Sequence, residues 1–332
     1  MSQQNIRIVQ YGLGPIGSAI SRHVVERPGL ELVGAVEIDP QKIGQDTGQA
    51  IGLTHSLGFP VHARLAEVLN RTSADLAIHT AGSHFTDIKP QIREILEAGL
   101  DVVSTSEELS FPWRAHEVDA QEIDALAKRC GKTVFGTGVN PGFLMDALPI
   151  TLSAICQSID RIEVTRTINA STRRGPFQAK IGAGMTREAC LEKLDARQMG
   201  HVGLRESMDA IADALGRSLV QYKGHVEPVL AERTIETDHF TVQPGQVRGL
   251  KQILRGYTEE GMFIVLKFHA ALEASEDQDT IAITGKPTLN VTLQGTNGDL
   301  ATVAMAVNAT SQIVSAPAGL LTAKDLPLLH LS

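Results

Sequence analysis

The chain has 332 residues, which is long enough for two domains or for one large domain with a substantial core. Its hydrophobic content of 42% and charged content of 20% are ordinary for a globular protein. The formal charge of −8 argues against nucleic acid or an anionic membrane as the main partner. There is no apolar run of about 18 residues, and the polar N-terminal residues lack the apolar core of a signal peptide. We therefore expect neither a membrane nor a nucleic-acid partner.

The cysteine and histidine patterns carry no metal signature. Cys130, Cys156 and Cys190 lie in or beside apolar patterns and lack metal-ligand spacing, so we expect buried free thiols. No His-Glu-x-x-His pattern occurs among the 11 histidines. These features predict no metal site and favour the reducing cytoplasm.

The most informative motif is G-x-G-x-x-G at residues 12–17, which follows an apolar strand-like run and opens a helical pattern. Gly12 allows the tight turn, Gly14 lets backbone N–H groups approach a pyrophosphate, and Gly17 lets helix and strand pack closely. The phosphates would lie at a helix N-terminus, and Glu37 stands where a ribose diol is usually held. The fingerprint alone is weak evidence, but its full βαβ context predicts a dinucleotide site. The expected contacts are Gly12, Gly14, Pro15, Ile16, Gly17 and Glu37.

Strand and helix patterns alternate over residues 1–145, which predicts a Rossmann domain with a doubly wound parallel sheet. The predicted strands are 6–11, 30–36, 61–63, 75–80, 101–105 and 132–138. The predicted helices are 18–26, 43–57, 65–70, 88–98 and 115–130, and a further helix opens at 139–143.

The pattern changes after residue 150, where long runs of alternating apolar residues predominate. These runs predict an α+β domain over 146–299 with a mostly antiparallel sheet. The predicted strands are 161–169, 219–230, 232–242, 262–272, 280–285 and 288–294, and the predicted helices are 186–196 and 203–215. An Ala-rich helix over 297–310 is expected to return to the first domain, which 300–332 completes. We expect the active site in the cleft.

Ligands of open α/β sheets lie at the carboxyl ends of the strands. The ends of three predicted strands should therefore meet the first glycine loop near a nicotinamide. We expect cofactor contacts there from Thr80, Ala81, Gly82, Thr105, Gly138, Asn140 and Pro141.

Glu107 and Glu108 are the candidate proton-transfer groups among these strand ends. A carboxyl group in a half-closed pocket beside a nicotinamide is desolvated, which makes it a usable acid or base. Adjacent residues in an extended segment point to opposite sides, so at most one of the two should face the substrate. The alternative is that both acids complement a helix dipole.

Two further features have open interpretations. Gly175, Gly182 and Gly184 either wrap a small ligand with backbone N–H groups or belong to a flexible surface loop. His79, His239 and His269 lie within apolar runs and are expected to be structural.

Four segments (12–17, 104–113, 136–143 and 175–184) together resemble the 2,4-diaminopentanoate dehydrogenase group. That group includes native amine dehydrogenases and belongs to the dihydrodipicolinate-reductase-like class. The resemblance covers nearly the whole chain, including 307–309 and 315–322. Dihydrodipicolinate reductases proper fit less well, because this sequence has no His-His pair.

The resemblance implies NAD(P)-dependent interconversion of an amine with a ketone or aldehyde plus ammonia. The catalytic glutamate of the group falls on Glu107 or Glu108, and we favour Glu107 because it directly follows the strand end. Its carboxylate would take a proton from ammonium, assist loss of water and stabilise an iminium, while the cofactor supplies the hydride. The resemblance also implies a homodimer formed through the second sheet.

Four residues are candidates for contact with the substrate, and core packing is the alternative for each. The candidates for the pocket wall are Phe143, Phe177, Met185 and Asn308. A diamino acid would need a cation for its carboxylate, and Arg166, Arg173, Arg174 and Lys180 are available.

We expect NAD to be preferred, because Glu37 would receive the ribose hydroxyls and repel a 2′-phosphate. Asp39 adds negative charge, while Lys42 is the base nearby that would favour NADP. Two other functions stay open: a reductase of an alcohol or semialdehyde substrate, and a non-catalytic NAD(P)-sensing module.

Overall fold

The computed structural model describes residues 5–196 and 198–331. These residues form two units. One contains the residues up to Phe143 and those from Gly298 onward, and the other is Leu144–Asn297. Within the described residues, none of the helices combines the length and the apolarity needed to cross a bilayer.

Strands and helices alternate in the N-terminal part of the chain. The elements are β1 (Ile6–Tyr11), α1 (Pro15–Glu26), β2 (Leu30–Val36), α2 (Thr47–Ala50), β3 (Val61–His62), α3 (Leu65–Leu69), β4 (Leu76–His79), α4 (Phe85–Glu97), β5 (Asp101–Ser104), a 3₁₀ turn (Glu108–Ser110), α5 (Glu117–Cys130) and β6 (Thr133–Gly136).

Strands predominate in the central part. The elements are α6 (Ala147–Ser153), β7 (Ser158–Asn169), α7 (Gly175–Lys180), α8 (Arg187–Asp195), α9 (Leu204–Ala214), β8 (Gln221–Leu230), β9 (Ile235–Glu236), β10 (Thr241–Val242), β11 (Val247–Thr258), β12 (Gly261–Ala271), β13 (Gln278–Lys286) and β14 (Leu289–Gln294). The chain then returns to the first unit through α10 (Gly298–Ile313), β15 (Gly319–Leu321) and a 3₁₀ turn (Ala323–Asp325).

The first unit is built on a seven-stranded sheet in the order β15-β6-β5-β4-β1-β2-β3. All of its strand pairs are parallel. Apolar clusters cover both faces, one including residues of α4 and α5 and the other including residues of α1 and α10. The predicted doubly wound Rossmann sheet is therefore confirmed. Because the strands run in one direction, the segments that follow β1, β4, β5 and β6 share one edge of the sheet.

The second unit contains a six-stranded sheet in the order β14-β13-β7-β12-β11-β8. Its pairs are antiparallel except for β7 with β12. The predicted mostly antiparallel sheet is confirmed. Along β7, Ile162, Val164 and Arg166 are buried, whereas the alternating residues are partly exposed. One face of this sheet is therefore covered and the other is open.

The helix expected over 43–57 is reduced to the single turn α2. The Asp46 carboxylate accepts hydrogen bonds from the N–H groups of Gly48 and Leu57 and from the Ser56 hydroxyl. The Ser56 hydrogen bond is the main cause that lowers the pKa of Asp46 to about 2. A side chain that satisfies local N–H groups competes with helical hydrogen bonding, so the chain forms a loop.

Two strands, β11 and β15, are not predicted by the sequence pattern. β11 contains two glycines, which are weak strand formers. At Gly249 a Cβ would lie 2.2 Å from the Ala270 carbonyl oxygen, so close pairing with β12 requires glycine there. β15 has only three residues and is defined by its pairing with β6. The single strand expected over 232–242 is instead the short pair β9 and β10.

Candidate functional site

The glycine loop after β1 is a close-packed turn. Gly12 has φ of +93°, a left-handed conformation that favours glycine. A Cβ on Gly17 would lie 2.0 Å from the Gly12 carbonyl oxygen and 2.6 Å from Thr80 Oγ1. Gly12 and Gly17 are therefore required by the backbone itself, whatever the loop binds.

Gly14 differs from its two neighbours in the motif. Its φ of −61° is open to any residue, and a Cβ would meet no atom within 4 Å. Gly14 is the N-cap of α1, which has no side-chain cap and no acidic residue in its first turn. Pro15 is the first residue of the helix and Ile16 is half-buried beside it. Open space at an uncapped helix N-terminus fits an approaching pyrophosphate.

Glu37 is joined to this loop through its carboxylate. Glu37 Oε2 accepts a hydrogen bond from the Leu13 N–H at 2.6 Å, and Oε1 accepts from the N–H groups of Ile38 and Asp39. The Lys42 ammonium donates to the Leu13 carbonyl oxygen. One carboxylate and one ammonium group therefore flank the same turn, where the ribose of a bound dinucleotide is expected.

The end of β4 supports the glycine loop from the other side. Thr80 Oγ1 donates to the Gly12 carbonyl oxygen at 2.9 Å. The Gln10 amide, fully buried in β1, donates to the Gly12 carbonyl oxygen and to Thr80 Oγ1, each at 3.0 Å. The following residues, Ala81 and Gly82, are exposed. The structure thus brings the loop, Glu37 and Thr80 together, as their positions at one sheet edge predict.

The segment after β5 is not extended. The expectation that Glu107 and Glu108 point to opposite sides, as neighbours in a strand do, is therefore wrong in its premise. Glu107 has φ of −61° and ψ of −47° and forms the N-cap of the 3₁₀ turn. Its carbonyl oxygen accepts hydrogen bonds from the N–H group and the hydroxyl of Ser110. The two glutamates therefore differ because of their contacts rather than because of strand alternation.

Glu108 is held by three groups of the first unit. Its Oε1 accepts from His84 Nδ1 at 2.9 Å, and its Oε2 accepts from the Phe85 N–H at 2.7 Å and lies 3.2 Å from His116 Nε2. Phe85 is the first residue of α4, so Glu108 caps that helix, as the helix-dipole interpretation expects. The hydrogen bond to Glu108 raises the pKa of the His84 imidazole. Both carboxylate oxygens of Glu108 are thus engaged in these contacts, and Glu107 lies one residue nearer the strand end, half-buried like Glu108.

A buried hydrogen-bond chain lies directly before Glu107. Ser104 Oγ, at the end of β5, is 3.0 Å from His79 Nδ1, and the Ser106 N–H donates to Ser104 Oγ at 3.1 Å. His79 Nε2 lies 2.7 Å from Gln91 Oε1 in α4. His79 is therefore a satisfied structural histidine, and burial lowers its pKa to about 4. The Thr105 N–H donates to the His79 carbonyl oxygen and completes this junction.

The segment after β6 is a compact turn. Gly142 has φ of +121°, and a Cβ there would lie 2.4 Å from the Gly138 nitrogen. Asn140 and Pro141 lie within this turn and are joined by a cis peptide bond. The Val139 N–H donates to Thr302 Oγ1 of α10 at 3.3 Å. The Thr137 N–H donates to the Ser104 carbonyl oxygen, which links this turn to β5.

The glycine-rich segment of the second unit is ordered by a buried side chain. The Gln178 amide donates to the carbonyl oxygens of Ser171 and Arg173, and its Oε1 accepts from the Thr237 hydroxyl. The N–H groups of Gly182 and Gly184 donate to the carbonyl oxygens of Ala179 and Val247. Those two N–H groups are therefore engaged within the chain, which argues against their wrapping a ligand.

The four candidate substrate residues fall in different surroundings. Phe143 is half-buried at the end of the first unit, and Met185 is half-buried beside Gly182. The Arg173 guanidinium lies 5.5 Å from the centre of the Phe177 ring. Asn308 Oδ1 accepts a hydrogen bond from Arg27, which follows the last residue of α1, and the 12 residues of that helix span about 18 Å. We therefore leave Asn308 out of the pocket proposed below.

Among the candidate cations, Arg166 is already paired. It is 2% exposed, and its Nη1 donates to both carboxylate oxygens of Asp279, at 3.0 and 3.1 Å. Arg173 is buried, Arg174 is half-buried and Lys180 is exposed. Burial, with the charges of Lys180 and Arg166 adding to it, lowers the pKa of His201 to about 3.

Several residues that support the loops at the carboxyl edge of the parallel sheet are not identified by sequence patterns. The polar side chains that fix the loops are Gln10, His84, Gln91, Ser104, Ser106, His116 and Thr302. The one available signal is Gln10, a polar residue that follows the apolar pair Ile8 and Val9 in β1. Over residues 5–196 and 198–331, no group of three or more His, Cys, Asp or Glu residues could hold a metal ion.

Two protein-family models match this chain. The model of the 2,4-diaminopentanoate dehydrogenase C-terminal domain matches residues 143–331, which is more than half of the chain. The model of the dihydrodipicolinate reductase N-terminus matches residues 6–106, the part that contains the glycine loop, Glu37 and Thr80.

Individual relatives align along nearly the whole chain. It is 28% identical to 2,4-diaminopentanoate dehydrogenase of Acetoanaerobium sticklandii over 98% of this chain and 94% of the relative. It is 24% identical to an amine dehydrogenase of Streptomyces virginiae over 97% of this chain and 96% of the relative. The structure of amine dehydrogenase from Mycobacterium smegmatis superposes with a TM-score of 0.89 at 28% identity, covering 99% and 98% of the two chains. The chain therefore belongs to the 2,4-diaminopentanoate dehydrogenase family.

Proposed function

We propose that this protein is an NAD(P)-dependent amine dehydrogenase. It interconverts an amine or diamino acid with the corresponding ketone or aldehyde and ammonia. In the reductive direction, a carbonyl compound, ammonia, reduced cofactor and one proton give an amine, oxidised cofactor and water. The enzyme is thus an oxidoreductase acting on CH–NH₂ groups.

The chain-long similarity to a 2,4-diaminopentanoate dehydrogenase and to amine dehydrogenases carries this proposal. Glu107, at the carboxyl edge of the parallel sheet, supplies the proton-transfer group that the chemistry needs. The relatives that combine this coverage with 24–28% identity are named as amine or 2,4-diaminopentanoate dehydrogenases.

The first unit binds the dinucleotide and the second unit forms the substrate and dimerisation domain. The N–H groups at the start of α1 receive the pyrophosphate, and Gly14 leaves room for it. Glu37 receives the ribose hydroxyls while its oxygens also hold the loop N–H groups. When bound, the nicotinamide supplies or accepts the hydride. The strand ends at Thr80, Thr105 and Gly138–Pro141 border that end of the cofactor.

Glu107 transfers protons at the reacting carbon. In the reductive direction, its carboxylate accepts a proton from ammonium and so provides ammonia as the nucleophile. It then returns the proton to the hydroxyl of the carbinolamine, which leaves as water. The carboxylate, again negative, stabilises the iminium cation that hydride reduces. We assign this role to Glu107 rather than to Glu108, whose carboxylate contacts His84, the Phe85 N–H and His116.

The substrate class depends on the cations of the second unit. Arg166 is neutralised by Asp279, so it offers little net charge to a substrate carboxylate. Arg173 is the buried cation beside Phe177 and is our candidate for pairing with the carboxylate of a diamino acid. Phe143, Phe177 and Met185 would contact the apolar part of an amine.

The proposal is tested by NADH oxidation with a panel of ketones, with and without ammonium. The panel contains amino ketones that bear a carboxylate and plain alkyl ketones of the same length. We expect oxidation only with ammonium, and amine as the product. Turnover that is independent of ammonium would favour the alcohol or semialdehyde reductase, and no turnover with any substrate despite tight NADH binding would favour the sensing module.

NAD is the preferred cofactor in this proposal. Glu37 offers a carboxylate to the two ribose hydroxyls and repels a 2′-phosphate. Lys42, which could attract that phosphate, is hydrogen-bonded to the Leu13 carbonyl oxygen. NADP is accepted more weakly.

We also propose a homodimer formed through the open face of the second sheet. Glu163, Thr165 and Thr167 of β7 point to that face and are only partly buried. A cytoplasmic setting accords with the free thiols of Cys130, Cys156 and Cys190.

A further inference from the structure

Three buried side chains fix the backbone that carries Glu107. His79, Ser104 and Ser106 are each 0% exposed. Ser104 lies at their centre, with its Oγ 3.0 Å from His79 Nδ1 and 3.1 Å from the Ser106 nitrogen. Ser106 is the residue immediately before Glu107, so this series of hydrogen bonds ends next to the proposed proton-transfer group.

The partners determine the direction of the hydrogen bonds. Gln91 Oε1 can only accept, so His79 Nε2 carries the proton and donates to it at 2.7 Å. Burial keeps the ring neutral, and Nδ1 is then an acceptor. The Ser104 hydroxyl donates to Nδ1, and its oxygen accepts from the Ser106 N–H. The chain of donors therefore runs from Ser106 through Ser104 and His79 to Gln91.

Further contacts leave the Glu107 backbone little freedom. The Ser106 hydroxyl donates to the Ser83 carbonyl oxygen at 3.0 Å, and the Ser110 hydroxyl donates to the Glu107 carbonyl oxygen at 2.8 Å. Glu107 thus lies between two serines that are each anchored. The Ser104 hydroxyl links the turn that contains Glu107 to His79 in the neighbouring strand β4.

We propose that Ser104 and His79 are positioning residues that set the orientation of the Glu107 carboxylate. The inference rests on the proposed function, because it assumes that Glu107 transfers the proton. Neither residue touches substrate in this proposal. Their effect acts through the Ser106 backbone, and an error of about 1 Å in a reacting group can cost on the order of a hundredfold in rate.

The test begins with Ser104→Ala, assayed for ammonium-dependent amine formation. Turnover is expressed per NADH-binding site from calorimetric titration, so that misfolded protein does not count. We expect kcat to fall by about tenfold to a hundredfold. The Kd of NADH and the KM of the ketone should change by no more than about twofold.

A matched pair of substitutions separates the hydroxyl from packing. Ser104→Thr and Ser104→Val have the same shape, but only threonine keeps the hydroxyl. We expect threonine to retain most of kcat and valine to lose it. At the other end, His79→Asn keeps an acceptor near Nδ1 and should retain more activity than His79→Phe. Ser207→Ala is the control, since Ser207 is also fully buried and bonds Asp146 in the second unit.

A double mutant shows whether Ser104 acts through Glu107. In the Glu107→Gln background, Ser104→Ala should cause no further loss of kcat. The inference is overturned if the kcat of Ser104→Ala stays within about threefold of wild type, or if the valine and threonine variants have the same kcat. It is also overturned if Ser104→Ala lowers kcat as much in the Glu107→Gln background as in the wild-type protein. Full turnover of Glu107→Gln alone would instead refute the proposed role of Glu107, which is a distinct result.

Discussion

Glu107 and Glu108 are neighbours in sequence, but their side chains have different surroundings. Glu108 binds His84, the Phe85 N–H and His116, so its carboxylate is part of the support of α4. Glu107 follows the buried Ser106 and begins the 3₁₀ turn. This difference leads to a paired prediction at the scale of single residues.

Glu107→Gln should lower reductive amination by ~10²–10⁴-fold, the range typical of losing a general acid–base group. NADH binding should be nearly unchanged, because the glutamine is isosteric. Glu108→Gln should lower turnover by much less and should mainly lower thermal stability, because it weakens the contacts to the two histidines. Steady-state kinetics, calorimetry with NADH and thermal unfolding of both variants measure these effects. Reversed kinetic effects would move the proton-transfer role to Glu108, and fully active variants would contradict the carboxylate mechanism.

The prediction that NADH is preferred over NADPH depends on the carboxylate of Glu37. The kcat/KM for NADH should exceed that for NADPH by about tenfold or more, which corresponds to ~1.4 kcal/mol. Glu37→Gln should reduce this ratio, because the amide no longer repels a 2′-phosphate. Asp39→Asn is the matched control two residues away and should change the ratio less. A preference of the wild-type protein for NADPH would show that Lys42, rather than Glu37, determines the choice.

At the scale of elements, the turn between β1 and α1 contains glycines of two kinds. Gly17 is required for packing, since a Cβ would meet the Gly12 carbonyl oxygen at 2.0 Å. Gly14 has an ordinary φ and open space around it. Packing therefore requires glycine at position 17, whereas at position 14 we expect the requirement to come from the bound pyrophosphate.

Gly17→Ala should destabilise the first unit by ~1–3 kcal/mol through overpacking, with loss of NADH binding. Gly14→Ala should keep wild-type thermal stability but weaken NADH binding by about tenfold or more, because its methyl group occupies the space of the pyrophosphate. Thermal unfolding and calorimetric titration of the two variants give the comparison. Normal NADH affinity in Gly14→Ala would contradict a pyrophosphate at this position.

At the scale of the whole molecule, the second sheet buries one face and leaves the other open. Strand β7 shows this alternation along its length, with Thr165 near the middle of the open face. Open sheet faces are solvated or covered by a partner. We expect the partner to be a second copy of the chain.

Thr165→Arg should convert the dimer to a monomer, because an isologous contact brings each arginine close to its counterpart across the two-fold axis. Light scattering coupled to size exclusion measures the native mass. Gln121→Arg, on the exposed side of α5, is the control and should not change that mass. A monomeric wild-type protein at micromolar concentration, or a dimeric Thr165→Arg variant, would contradict the proposed interface.

The sequence by itself determined the fold class and the kind of site. Both depend on local patterns: apolar runs of strand length, helical periodicity, and a glycine motif whose turn and spacing to Glu37 are fixed by short-range geometry. The carboxyl-edge rule then placed Thr80, Thr105 and the acidic pair at one edge without knowledge of side-chain contacts.

Only the tertiary structure shows what binds Glu108, because the groups involved come from the start of α4 and from the loop before α5. The hydrogen-bond chain from Ser106 to Gln91 was not predictable either, because Ser104 and His79 lie 25 positions apart and meet only where β5 pairs with β4. Strand β11 was missed for a local reason, since its two glycines weaken the strand pattern although its partner β12 follows directly. The hydrogen bond from Arg27 to Asn308, 281 positions away, is likewise a contact that no local pattern predicts. Residue type and spacing specify what a side chain can do, whereas long-range packing decides which side chain is placed to do it.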